Sequence, residues 1–288
     1  MRLLLPCLGY LLLTAASALG QTASIAAPTT PPCPALSPGS IRTVVRVIDG
    51  ETLGLHDGQE LRLVGALPPR SIDVNADPGT WLPETKAREA LEQLVLGKSI
   101  ELALAGDRAD RYGRVLAQAV LIDGAERRWV QGHMLEQGYA RAYVPPGTRA
   151  CVPELLARER VAREAGRGLW AEAAYQVRRA EQSAEIARYR TTYQIIEGRI
   201  ARVRIARGTI YLNFGRHWQR GFSAFLRGSD RAVLGISGDP QALAGRRVRV
   251  RGWIQGRDRR PSINLSESGF IEIVDGSIST GPDPNPRP

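Results

Sequence analysis

From Thr43 to Gly65 the sequence reads TVVRVIDGETLGLHDGQELRLVG. Apolar and polar residues alternate, and the alternation breaks at Asp49-Gly50 and at His56-Asp57-Gly58-Gln59. Alternation with period two places one set of side chains on each face of a strand, and such breaks are hairpin signals. A chain that begins its folded part this way is committed to an antiparallel meander with one buried face.

The pattern then changes. Residues 84–96, ETKAREALEQLVL, put Ala87, Leu91, Leu94 and Val95 on one helical face, and Gly97 stops the helix. SIELALAGDRADRYGRVLAQAVLIDG predicts two strands around a polar turn. RWVQGHMLEQGYARAY predicts a second helix, and VPELLARERVAREAGRGLW a third, charged outside and apolar inside. Residues 171–192 are polar and predict a helical connector. From Tyr193 the strands return as YQIIEGRIARVRI, GTIYLNFG, FSAFL, RRVRVRGWIQG, SINLS and GFIEIVD. Short strands with glycine-rich turns suggest a small barrel.

The 288 residues suffice for two domains, and 43% apolar content allows packed cores. The opening MRLLLPCLGYLLLTAASALG has one arginine, an apolar run and then small residues. This is the pattern of a secretory signal peptide over residues 1–20, cleaved after Gly20 or as late as residue 27, and its apolar part is too short to span a bilayer. Residues 21–40, rich in Pro, Thr, Ser and Ala, read as a flexible leader. Domains are expected over 41–170 and 193–275, joined by 171–192, and residues 276–288 have the composition of a disordered tail. No later stretch is long and apolar enough for a membrane helix. The expectation is an exported protein, periplasmic or secreted.

Cys7 lies in the signal, leaving Cys33 and Cys151 in a compartment that permits disulfides. A bridge would tie the leader to the first domain, but sequence leaves pairing and two free thiols both open. The net charge of +10 is unevenly spread. Residues 41–189 carry 21 basic and 21 acidic side chains, whereas residues 190–275 carry 16 arginines, no lysine and 7 acids. That surplus attracts a polyanion or an acidic surface, or only aids solubility.

VIDGET, LRLVG, DRYGR and REAGRGLW occur in one order, and together they resemble the thermonuclease (staphylococcal nuclease-like) family over residues 43–170. The resemblance implies a mainly β, α+β fold: a five-stranded oligonucleotide/oligosaccharide-binding (OB) barrel with three helices, here followed by a second small β-barrel. It implies calcium-dependent phosphodiester hydrolysis, in which Arg62 and Arg114 would grip the phosphate and Glu51 would stand where the family has a calcium-binding Asp. A planar guanidinium suits the task because its fork matches two phosphate oxygens. After the LRL strand the family pattern has a metal-binding Asp and a general-base Glu. This sequence has Leu67, Pro68, Pro69 and Arg70 there. Leucine cannot ligate a hard cation, and arginine cannot accept a proton. Arg70 beside Arg62 would favour an anion instead.

DVNADPGTWLPE offers Asp73, Asn75, Asp77 and Glu84 at calcium-loop spacing as alternative ligands, but Pro78 occupies the position that needs glycine. The other reading is a surface loop with Glu84 at a helix start. In the C-terminal module, alternation is expected to place Arg199, Arg202, Arg204, Arg247, Arg249 and Arg251 mostly on exposed faces, near Tyr211, Phe214, Trp218 and Trp253. That mixture suits single-stranded nucleic acid, although the aromatics could equally be core. His56, His133 and His217 lack ligand spacing and read as surface or packing residues.

The leading expectation is an exported protein that binds nucleic acid or another polyanion with weak or no hydrolysis, and with no small-molecule cofactor. Its binding residues would be Arg62, Arg114, Arg70, Arg202, Arg204, Arg249, Arg251, Tyr211 and Trp253. The alternatives are an active nuclease using Ca²⁺ with Glu51, Asp73, Asp77 or Glu84, and an envelope protein meeting acidic glycans, lipids or a protein partner.

Overall fold

A computed structural model describes residues 33, 36–104, 109–143, 151–215, 221–236, 238–256, 260–266 and 270–274. The expected signal peptide, the tail, most of the leader, His217 and Trp218 lie outside these. No described helix is long and apolar enough to cross a membrane.

The first barrel closes around five strands: β1 (Ser37–Val47), β2 (Thr52–Leu55), β3 (Glu60–Leu63), β5 (Ser99–Leu104) and β6 (Val115–Asp123). β1 pairs antiparallel with β2 and β5, β2 with β3, and β5 with β6, and a parallel β3–β6 contact closes the ring. β1 begins at Ser37, so the end of the expected leader is already strand. β4 (Gly65–Leu67) leaves the barrel and pairs with β8 (Arg141–Tyr143), while β7 (Glu126–Trp129) extends the sheet beside β6. Helix α1 (Leu82–Val95) buries Ala87, Leu91, Leu94 and Val95, the face read from spacing. α2 (Val130–Glu136) and α3 (Val152–Glu164) complete this half. The core runs from Leu53, Leu61 and Ile100 to Leu91, Met134 and Leu155.

The connector is only partly helical. It holds 3-10 turns at Gly168–Ala171 and Ala173–Tyr175, the two-residue strand β9 (Arg178–Arg179) and the short helix α4 (Ser183–Ile186). β9 pairs with the next barrel.

That barrel comprises β10 (Tyr193–Ala206), β11 (Thr209–Phe214), β12 (Ser223–Arg227), β13 (Arg247–Gln255) and β14 (Ser262–Asn264), with β15 (Phe270–Ile273) added to β13. Its pairings repeat the first barrel: β10–β11, β11–β12, β10–β13 and β13–β14 antiparallel, and β12–β14 parallel. Ile196, Ile210, Leu212, Phe214, Ala224 and Val250 fill it. Phe214, one of the aromatics considered for binding, is core. A third apolar cluster of Ala162, Leu169, Trp170, Tyr175 and Ile195 joins the barrels.

Candidate functional site

Asp49-Gly50 turns the chain from β1 into β2 and sets Glu51 at the barrel mouth. Asp49 closes the turn by accepting from the Glu51 N–H (2.8 Å) and the Thr52 hydroxyl (3.1 Å). Glycine is required at 50, because a Cβ there would come within 2.7 Å of Pro68. Pro68 thus braces the first hairpin against the exit from β4.

Glu51 is 4% exposed and pairs with Arg62 on β3, Nη2 to Oε1 2.5 Å. Burial pushes its carboxyl from the ordinary 4.5 up to about 7, Asp49 adding to the rise while Arg62, Arg70 and Arg114 oppose it. Arg114 follows the DRYGR turn, which requires glycine at 113 (φ +79°). Asp110 holds this turn by accepting from the Tyr112 N–H (2.9 Å), the Arg114 N–H (3.0 Å) and the Arg114 Nε (2.7 Å). Burial raises the Asp110 carboxyl, but those hydrogen bonds outweigh it and hold it low. Asp110 and Gly113 therefore aim Arg114, whose guanidinium also lies 5.1 Å from the Tyr112 ring centroid.

The loop after β4 differs from a metal-binding loop at each key position. Leu67 is 1% exposed, in register with Arg141. Arg70 donates to Asp73 (3.2 Å) and lies 5.0 Å over the Trp253 ring, and its Nε is buried without a partner among the described residues. Tyr143 is edge-on to both Tyr193 and Trp253. One wall of the site therefore comes from the second barrel.

The calcium-loop alternative is corrected by where its carboxylates lie. Asp73 is buried and accepts from Arg141 (3.0 Å), the Tyr175 hydroxyl (3.2 Å) and Arg70. Glu84 accepts from the Ser71 N–H and hydroxyl and from the Gly79 N–H (3.1 Å), so it fastens the loop rather than a cation. Asp77 is exposed and apart. Among the described residues no group of three or more His, Cys, Asp or Glu could hold a metal. Glu51 is the carboxylate paired with Arg62, and Asp49 beside it is engaged by the Glu51 N–H and the Thr52 hydroxyl.

Two further assignments change. Arg251 is fully buried, donating to Glu159 (2.6 Å) and Glu272 (2.6 Å). Arg249 pairs with Glu197 (2.6 Å). Neither is available to a polyanion. Alternation correctly put both outside the barrel core, but the first domain covers that outside. Trp253 is likewise a wall beneath Arg70 rather than an open platform. Arg202 and Arg204 are exposed, on the part of β10 that pairs with β11 rather than β13, and Tyr211 on β11 is half-buried. Arg141, Glu159 and Tyr175 escaped sequence reading. The expected second helix ends at Glu136, and its last residues form strand β8 instead; Arg141 among Ala140, Ala142 and Tyr143 was the available signal, since a lone cation there needs a buried partner.

A family model described as Staphylococcal nuclease homologue matches residues 60–172. The match contains Arg62, the Leu67–Arg70 loop and Arg114, and its segment holds β3 through α3 of the first closed barrel. Residues 60–172 are thus a staphylococcal nuclease-like segment. No curated protein matches the chain. Glu51 and the whole second barrel lie outside the matched segment.

Arg62, Arg70 and Arg114 thus surround Glu51 within electrostatic reach, each already holding a carboxylate: Glu51, Asp73 and Asp110. A guanidinium has five donors, so these pairs leave capacity for an anion.

Proposed function

We propose that this is an exported phosphate-gripping protein that binds nucleic acid at the mouth of its first barrel and hydrolyses it weakly or not at all. The observation that carries this reading is the loop itself. Leu67 is buried and Arg70 is anchored between Asp73 and Trp253, while Arg62 and Arg114 stay partly exposed beside Glu51. Cations for phosphate are kept where metal ligands and a base would be needed. Loss of a general base alone slows such chemistry by about 10²–10⁴-fold.

The test is affinity for a short 5′-phosphorylated single strand at low salt. Arg62→Ala is expected to weaken binding by about tenfold, the loss of one charge-assisted contact of roughly 1.5 kcal/mol. Unchanged affinity would contradict the assignment.

Glu51 gives this site a pH dependence. Its carboxylate competes with phosphate for Arg62, and its proton removes the competitor. Affinity is therefore expected to rise as pH falls through about 7, and Glu51→Gln should abolish that rise. Titrating the probe at several pH values spanning the Glu51 midpoint, about 7, with both proteins checks this. Stability follows the same group. The folded protein holds this proton more tightly than the unfolded chain. The contribution is fully present below pH 4.5 and is lost as pH rises through about 7. Its full size is on the order of 3 kcal/mol.

The raised carboxyl also favours a second reading, residual hydrolysis with Glu51 accepting a proton from water. Loss of a residual rate in Glu51→Gln, with binding retained, would support it.

A further inference from the structure

The outer face of the second barrel, opposite its Ile210/Leu212 core, carries residues brought into line by strand register. Arg204 on β10 pairs with Tyr211 on β11, Tyr211 with Phe225 on β12, and Phe225 with Asn264 on β14. One step along, Arg202 pairs with Asn213, and Asn213 with Ser223. Four strands thus present a row of arginine, two aromatics and an amide across about 14 Å, three strand spacings. The Tyr211 and Phe225 rings lie 6.1 Å apart with planes 33° from each other. Both are partly buried with some ring surface exposed, and Arg202 and Arg204 are exposed.

This face is separate from the seam between the barrels, where Arg249, Arg251 and Trp253 are engaged. Shared connectivity relates it to the first site. β12 follows β11 and contacts β14 in parallel, as β3 follows β2 and contacts β6. Phe225 therefore stands on the strand that corresponds to the one bearing Arg62.

We propose that this face is a second binding site, a stacking platform for single-stranded nucleic acid. Bases have exposed π-faces only when unpaired, and two adjacent rings of similar tilt offer them a surface. Arginines at one end supply cations for the backbone, while Asn213, donating to the Arg202 carbonyl, and Asn264, accepting from the Ser266 N–H, pin the row in place. A duplex would need an element protruding into a groove, whereas this row lies on a sheet surface. The net +9 of residues 190–275 draws the strand in. The proposal stands independently of the phosphate reading at Arg62, because the two sites lie on different barrels.

The test uses the full chain, a labelled oligothymidylate and the matching duplex, with binding followed by anisotropy at low salt. Tyr211→Leu with Phe225→Leu keeps apolar cover on the sheet but removes both rings. It is expected to weaken single-strand binding at least about fivefold while leaving duplex binding unchanged. Arg204→Ala should lower the salt slope by about one. Single-strand affinity unchanged in a double variant with native melting would overturn the proposal. So would equal losses for single strand and duplex, which would mark the face as merely electrostatic. Arg62→Ala should leave the effect of the double leucine change intact, and if it removes that effect the second site does not exist.

Discussion

Glu159→Ala should be among the most damaging single substitutions in the protein, costing about 3–5 kcal/mol, the range for removing one partner of a buried ion pair. Glu159 is fully buried on α3. Its Oε2 accepts from the Ala142 N–H (2.7 Å) and from Arg251 (2.6 Å), and its Oε1 accepts from Arg163 (2.7 Å). Removing it strands Arg251, also fully buried, with Glu272 alone, and leaves a backbone donor on β8 unpaired. Arg251→Met removes the opposing charge instead, so Arg251→Met combined with Glu159→Gln should cost less than the two changes summed. Urea unfolding of the four proteins in this cycle checks the coupling. Additive losses would show that the Glu159–Arg251 contact does not join the barrels energetically.

The Cys33–Cys151 bridge supplies the second large effect. The structure joins these cysteines with Cα atoms 5.4 Å apart across a separation of 118 residues. Both sulfurs sit in the first core, with Cys33 2% and Cys151 4% exposed. Closing a loop of that size removes much freedom from the unfolded chain, so Cys33→Ser with Cys151→Ser is expected to cost about 2–5 kcal/mol. Urea midpoints with and without reductant, in native and double-serine proteins, check this. A native midpoint indifferent to reductant would contradict it.

Most of the barrel architecture was readable from the alternating segments, because a two-residue period and a turn signal are local properties. The α1 face was readable for the same reason: Ala87, Leu91, Leu94 and Val95 lie at helical spacing and all are buried. Arg251 shows the limit. Alternation states which side of a strand a residue occupies, not what packs there, and a neighbouring domain turned an outward arginine into a buried one. Asp73 shows the complementary error. Its spacing to Asp77 and Glu84 mimics a calcium loop, but Arg141, far away in sequence, claims its carboxylate. The connector departed from a helix because the short β9 strand is recruited by β10, a tertiary pairing that its polar composition does not signal. At the candidate site, Arg62, Arg70 and Arg114 were legible because their motifs are local. Trp253 beneath Arg70 was not, since it arrives from the other barrel.

The central claim is that the first barrel grips phosphate without efficient cutting. The direct measurement incubates the full chain with end-labelled single-stranded DNA and RNA, in calcium and in chelator, while binding is followed on the same probes. The account predicts retention of the intact probe, weakened by Arg62→Ala, with no calcium-dependent acceleration of cleavage. Calcium-dependent cleavage by the native protein that disappears in Arg62→Ala would contradict it.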